Sequence, residues 1–185
     1  EHNAVMRPLT DLGVAFDRIP CNGEGLLDPD DLAPLLRPNT RLVLVAHASN
    51  VSGAIQDAAA LGAVCAAHGV PFALDAAQSA GHIPVDFDAF GCSAVAVPGH
   101  KGLLGPGGIG GLLLHPSLAK AMRPLVTGGT GSASQEERQP DFLPDKFESG
   151  TANLPGIYGW EAALAFLEDL TVDRVRAHDL VLIRR

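Results

Sequence analysis

The 185 residues suit one domain, on the soft prior of roughly 150 residues per domain, and an apolar content of 46% is ample for a sizeable core. A formal charge of -8 and a pI near 5.2 argue against nucleic acid or an anionic membrane as a partner. No run is apolar enough for a membrane span, since a long charge-free one near the middle, Ala58 to Leu74, is broken by His68, Gly69 and Pro71.

Three scattered cysteines (Cys21, Cys65 and Cys92) make neither a disulfide framework nor a CxxC metal pair, and no metal site is expected. Free thiols in a reducing compartment are the simplest account, which points to the cytoplasm. No signal-peptide pattern is present, although a chain that starts on Glu1 says nothing about a leader.

In chain order, "VAFDRIP" (14–20) reads as a short strand. "DPDDLAPLL" (28–36) reads as a helix, with Asp28 as its cap and Pro29 at the first helical position. "RLVLVAHASN" (41–50) is a nearly continuous apolar run with a polar end, as expected of a strand buried on both faces. An Ala-rich helix follows over 57–68, opened by Asp57 and stopped near Gly69. Two more buried strands, "VPFALDAAQ" (70–78) and "SAVAVP" (93–98), come next.

"IGGLLLH" (109–115) follows the last of these too closely for a helical crossover, so it is predicted to run antiparallel. Residues 122–150 are loop-rich, a helical pattern returns from Leu154 to about Leu170, and a second helix runs from Val172 to the C-terminus. Alternating strands and helices define an α/β layer fold with a mostly parallel sheet.

Ligands of such sheets bind at the carboxyl ends of the strands. The three parallel strands end in His47, Ser49 and Asn50; in Asp75 and Gln78; and in His100 and Lys101. Each has an ordinary reading: a cap for Asp75, turn bonding for Asn50 and Gln78, packing for the histidines, solvent for the lysine. Their convergence on one edge is what favours a site.

The chain has only three lysines, and Lys101 stands in a loop of glycine and proline, "PGHKGLLGPGGIGG". The loop is not a P-loop, and neither a GxGxxG fingerprint after a first strand nor a GxSxG elbow is present. A lysine amine that attacks a carbonyl fits, because desolvation and nearby cations lower its pKa. Schiff-base chemistry on pyridoxal phosphate needs such a lysine together with an acid for the pyridine nitrogen, the place Asp75 can take.

Six ordered segments carry a family resemblance: "EHNAVMRPL" (1–9), "HASNVSG" (47–53), "DAAQSAGHIPVD" (75–86), "PGHKGLLGP" (98–106), "GGTGSAS" (128–134) and "FESGTANLPGI" (147–157). Here the chain resembles the class V group of fold-type I pyridoxal-phosphate enzymes, most of all the cysteine desulfurase and selenocysteine lyase-like proteins. The resemblance implies the three-layer α/β/α large domain of that fold in incomplete form. Residues 1–150 would be its central part, and 151–185 a helical segment leading toward a small C-terminal domain.

It also implies roles. Lys101 would be the Schiff-base lysine, Asp75 the pyridine-nitrogen partner, and His2 would stack on the ring. Asn50 and Gln78 would hold the ring's phenolic side, His100 would touch the phosphate, and Thr130 would reach the phosphate of a neighbouring subunit, making the protein a homodimer. The substrate would be a small amino acid, cysteine or selenocysteine, with alanine as product and a sulfur-acceptor protein left open as a partner.

Pro98 stands where many relatives carry a phosphate-binding hydroxyl. No cysteine here matches the family's persulfide-forming position, and the substrate-carboxylate arginine is expected outside this chain. Three other readings stay open: another class V reaction (aminotransferase, epimerase or lyase), a catalytically incompetent cofactor-binding or dimerisation fragment, and a Gly-rich nucleotide-binding domain.

Overall fold

A computed structural model describes residues 1–184. Three of the apolar runs form parallel strands, β1 (Val43–Ala46), β2 (Phe72–Asp75) and β3 (Ala94–Pro98). The fourth, β4 (Gly110–Leu114), runs antiparallel to β3 and completes the order β1-β2-β3-β4. The connection from Gly99 to Ile109 is too short for a crossover helix, which is why the direction reverses there.

Helices in chain order are α1 (Asn3–Asp11), α2 (Ala58–Ala67), α3 (Pro116–Ala121), α4 (Leu154–Leu170) and α5 (Val172–Ile183). Asp57 caps α2 by accepting a hydrogen bond from the Ala60 amide at 2.9 Å. Asn153 caps α4 in the same way, through the Gly156 amide at 3.1 Å. Ala58, Leu61, Gly62 and Cys65 recur at helical spacing and give α2 one buried face.

That face meets one side of the sheet, where Val43, Val45, Phe72, Leu74 and Val95 are buried. Fully burying side chains of this size stabilises the fold by about 1.5–3 kcal/mol each. Gly62 lets α2 approach closely, because a Cβ there would run into the Phe90 carbonyl. The opposite side of the sheet carries the alternate residues, and its register sets Ala46 beside Asp75 and Asp75 beside Ala96.

Two sequence expectations fail. Residues 14–20 form no strand: Val14 and Phe16 are exposed, and no neighbouring chain offers them a ladder. Residues 28–36 form two short 3-10 turns, Pro29–Asp31 and Ala33–Leu35, rather than one α-helix. Pro34 has no amide to give an i→i−4 bond, which breaks the run, although Asp28 does cap it by accepting from the Asp30 amide at 3.0 Å.

Residues 122–150 are irregular, as their composition predicts, but they are anchored. Lys146 is buried, and its amine donates to the Ala119 carbonyl at 2.9 Å and the Lys120 carbonyl at 3.3 Å while pairing with Asp141 at 2.8 Å. The lysine thereby satisfies carbonyls at the C-terminal end of α3. The amine also holds the Asp141 carboxyl below its ordinary range, first by the hydrogen bond and then by its charge.

Candidate active site

Because β1, β2 and β3 run the same way in register, their carboxyl ends lie side by side, and each releases a short polar turn. Asp75 is the last residue of β2. One of its carboxylate oxygens accepts from the Ala77 amide at 2.9 Å, which closes a turn rather than capping a helix, and the group is half-buried at the sheet edge. Its lateral neighbours across the strands, Ala46 and Ala96, are both alanine.

Gln78 lies in the turn that follows, half-buried, and Asn50 lies exposed in the turn after β1. That β1 turn is fixed by Ser49, whose hydroxyl accepts from the Val51 and Ser52 amides at 3.1 Å each. His100 and Lys101 open the loop after β3. Among the described residues the ion pairs Arg37–Asp17 and Lys146–Asp141 and the His82–Asp179 contact leave the half-buried Lys101 amine uncommitted.

His2 caps α1, its Nδ1 accepting from the Ala4 amide at 3.1 Å. The Glu1 carboxylate accepts from the Ala46 amide at 3.0 Å, which ties the start of the chain to the carboxyl end of β1 and brings His2 to the same edge. Thr130 is placed differently. It lies in an open hollow of about 510 Å³ formed by residues 127–140, which contains none of the strand-end residues. Within it Thr130 Oγ1 lies 3.1 Å from Ser132 Oγ, and Ser132 in turn bonds Asp145.

His47 behaves as packing does. It is buried, its ring meets Phe90 edge-on at 5.5 Å, and burial pushes its pKa below the ordinary value. The buried Cys65 and Cys92 thiols are pushed up to about 11 by desolvation, with the Asp86 charge adding to the effect at Cys92. Neither is a nucleophile at neutral pH.

The sequence reading missed the support under the lysine loop. Gly81 has φ +88°, and a Cβ on it would strike the Gly102 carbonyl. The Trp160 indole lies against Gly105 and Gly111, and Asn153 donates to the Gly108 carbonyl at 3.2 Å. The density of glycine in 99–111 was the available signal, since close backbone approach is a reason for it.

A lysine and a carboxylate released at one sheet edge suit a carbonyl-binding site, and pyridoxal phosphate would fit that chemistry. The loop offers a lysine outside the ion pairs of the described residues, and the neighbouring strand end offers a carboxylate flanked by alanines. The class defined by this fold and edge matches the comparisons: the family model for aminotransferase class-V covers residues 1–185. The chain belongs to the class-V aminotransferase family.

Within it the likeness is to cysteine desulfurases. The chain is 37% identical to a cysteine desulfurase of Klebsiella pneumoniae over 100% of its own length and 47% of that protein's. It is 34% identical to a probable cysteine desulfurase of Methanothermobacter thermautotrophicus, over 97% and 46%. The solved apo cysteine desulfurase of Thermococcus onnurineus NA1 superposes with a TM-score of 0.86 at 32% identity, covering 97% of this chain and 45% of that one. The chain therefore spans about half the length of the relatives it matches. No described helix is long and apolar enough to cross a membrane, and the described residues contain no cluster of metal-ligating side chains.

Proposed function

We infer that this chain carries the cofactor edge of a pyridoxal-phosphate-dependent cysteine desulfurase, which removes sulfur from cysteine, or selenium from selenocysteine, and leaves alanine. The observation that supports this best is the register that sets Asp75 between Ala46 and Ala96 at the edge where the next strand releases Lys101. When bound, pyridoxal phosphate supplies an electron sink for the substrate's α-carbon.

The chain's own residues do the rest. The Asp75 carboxylate holds a proton on the pyridine nitrogen, and the Ala77 amide fixes the orientation of that carboxylate. Lys101 would hold the cofactor, and its amine would move a proton at the substrate's α-carbon. His2 would cover the ring, Gln78 and Asn50 would bind its phenolic side, and His100 would bind phosphate. Thr130 serves a second subunit's phosphate, which makes the working protein a homodimer.

Buried Cys65 and Cys92 are unsuited to take up sulfur and Cys21 matches no persulfide-forming position, so none of the three is the acceptor. The test is alanine formation from L-cysteine by the intact protein loaded with pyridoxal phosphate. Wild-type protein is expected to release alanine and a Lys101→Ala variant none. Equal rates in the two would refute the assignment.

A further inference from the structure

We propose that His82, held by Asp179 of α5, is a positioning residue for Lys101, so that the second C-terminal helix is part of the support of the lysine loop. The inference rests on the reading of Lys101 as the cofactor lysine. His82 Nδ1 lies 2.9 Å from Asp179 Oδ2, joining residues 97 apart in sequence. The other side of the same ring faces the lysine loop. Its Cδ2 and Nε2 lie 2.7 and 3.0 Å from where a Cβ on Gly102 would sit.

Gly102 is the residue after Lys101, so the imidazole bears on the backbone one peptide from the reactive side chain. The turn that carries His82 is itself rigid. Its Ile83 and His82 amides both donate to the Ser79 carbonyl at 2.9 Å, and Gly81 fits against the Gly102 carbonyl only because it has no side chain. A half-exposed ring bonded on one side to a carboxylate and packed on the other against Gly102 sets how closely the loop can approach the turn that carries His82. Moving α5 moves Asp179, and through His82 it moves the backbone at Lys101.

The test uses the purified protein with Asp179→Ala, His82→Ala, the double variant, and Asp179→Asn, which keeps an acceptor for an Nδ1 proton. Asp179 is half-exposed on α5, so its variants keep the fold even if His82→Ala does not. One readout, amide hydrogen exchange of the peptide spanning 99–105, needs no cofactor. The other is the pyridoxal phosphate concentration that half-saturates borohydride fixation at Lys101.

Asp179→Ala is expected to accelerate exchange and raise the half-saturating concentration by about two- to five-fold, the range a half-exposed pair supplies. Asp179→Asn should stay near wild type, and the double variant should be no worse than His82→Ala alone. Unchanged exchange and half-saturation in Asp179→Ala, with wild-type protein labelled at Lys101, would overturn the positioning role alone. Wild-type protein that is never labelled at Lys101 would instead overturn the functional reading, and this inference with it.

Discussion

Two glycines of one loop should respond oppositely to the same substitution. At Gly102 a Cβ would drive into the Ala80 carbonyl and meet the His82 ring at 2.7 Å, and backbone cannot swing aside as a side-chain tip can. At Gly107 a Cβ would meet nothing within 4 Å. Neither glycine has a positive φ, so the comparison isolates crowding from backbone strain. Overpacking costs about 1–3 kcal/mol, and a rigid carbonyl places Gly102→Ala near about 3 kcal/mol. Gly107→Ala instead stabilises by about 0.4–1 kcal/mol, by narrowing the unfolded ensemble. With a urea slope of about 2 kcal/mol per M, the midpoints should move down by about 1.5 M and up by about 0.2–0.5 M. Urea melts followed by circular dichroism measure both. Equal midpoints for the two variants would refute the claim that the lysine loop is seated on the 78–82 turn.

The buried His47 gives a pH dependence. Its pKa is held below the ordinary 6.5 by desolvation, so stability is complete above that value and declines as pH falls below it toward the folded-state pKa, because the unfolded chain takes up the proton first. His47→Leu removes a buried Nδ1 that has no partner and should flatten this slope in melts run between pH 5 and pH 7, within about 1 kcal/mol of wild type at pH 7. Lys146→Met leaves two carbonyls at the end of α3 without their donor and should cost about 2 kcal/mol in urea melts, with faster hydrogen exchange over 127–150. Iodoacetamide at pH 8, read by peptide mass mapping, should modify the exposed Cys21 and spare Cys65 and Cys92 in the folded protein.

The sheet was legible because its strands are buried runs with polar ends, and the antiparallel β4 because its connection is short. The helix expected from Leu154 to about Leu170 was legible from its pattern, and the structure bounds it with the Asn153 cap and the break at Thr171. The failures have physical causes. Val14 and Phe16 have strand-like chemistry, but a strand exists only with a partner. Pro34 divides a sequence whose caps and acids otherwise signal one helix. That Asn50, Asp75, Gln78 and Lys101 all follow the carboxyl ends of parallel strands was readable, because buried strands show as apolar runs with polar ends. The Asp179–His82 contact with the lysine loop was not, because no local pattern encodes a meeting between residues 97 apart.

The central claim is that the loop after β3 is the cofactor site, and borohydride fixation of pyridoxal phosphate followed by peptide mass spectrometry tests it directly. Lys146 is buried and bonded at its amine, and exposed Lys120 serves as the internal comparison for adventitious reaction. A single adduct on Lys101, abolished in Lys101→Ala, is the result expected. Labelling spread over Lys101 and Lys120 alike, unchanged in character by the variant, would contradict an organised site at this sheet edge.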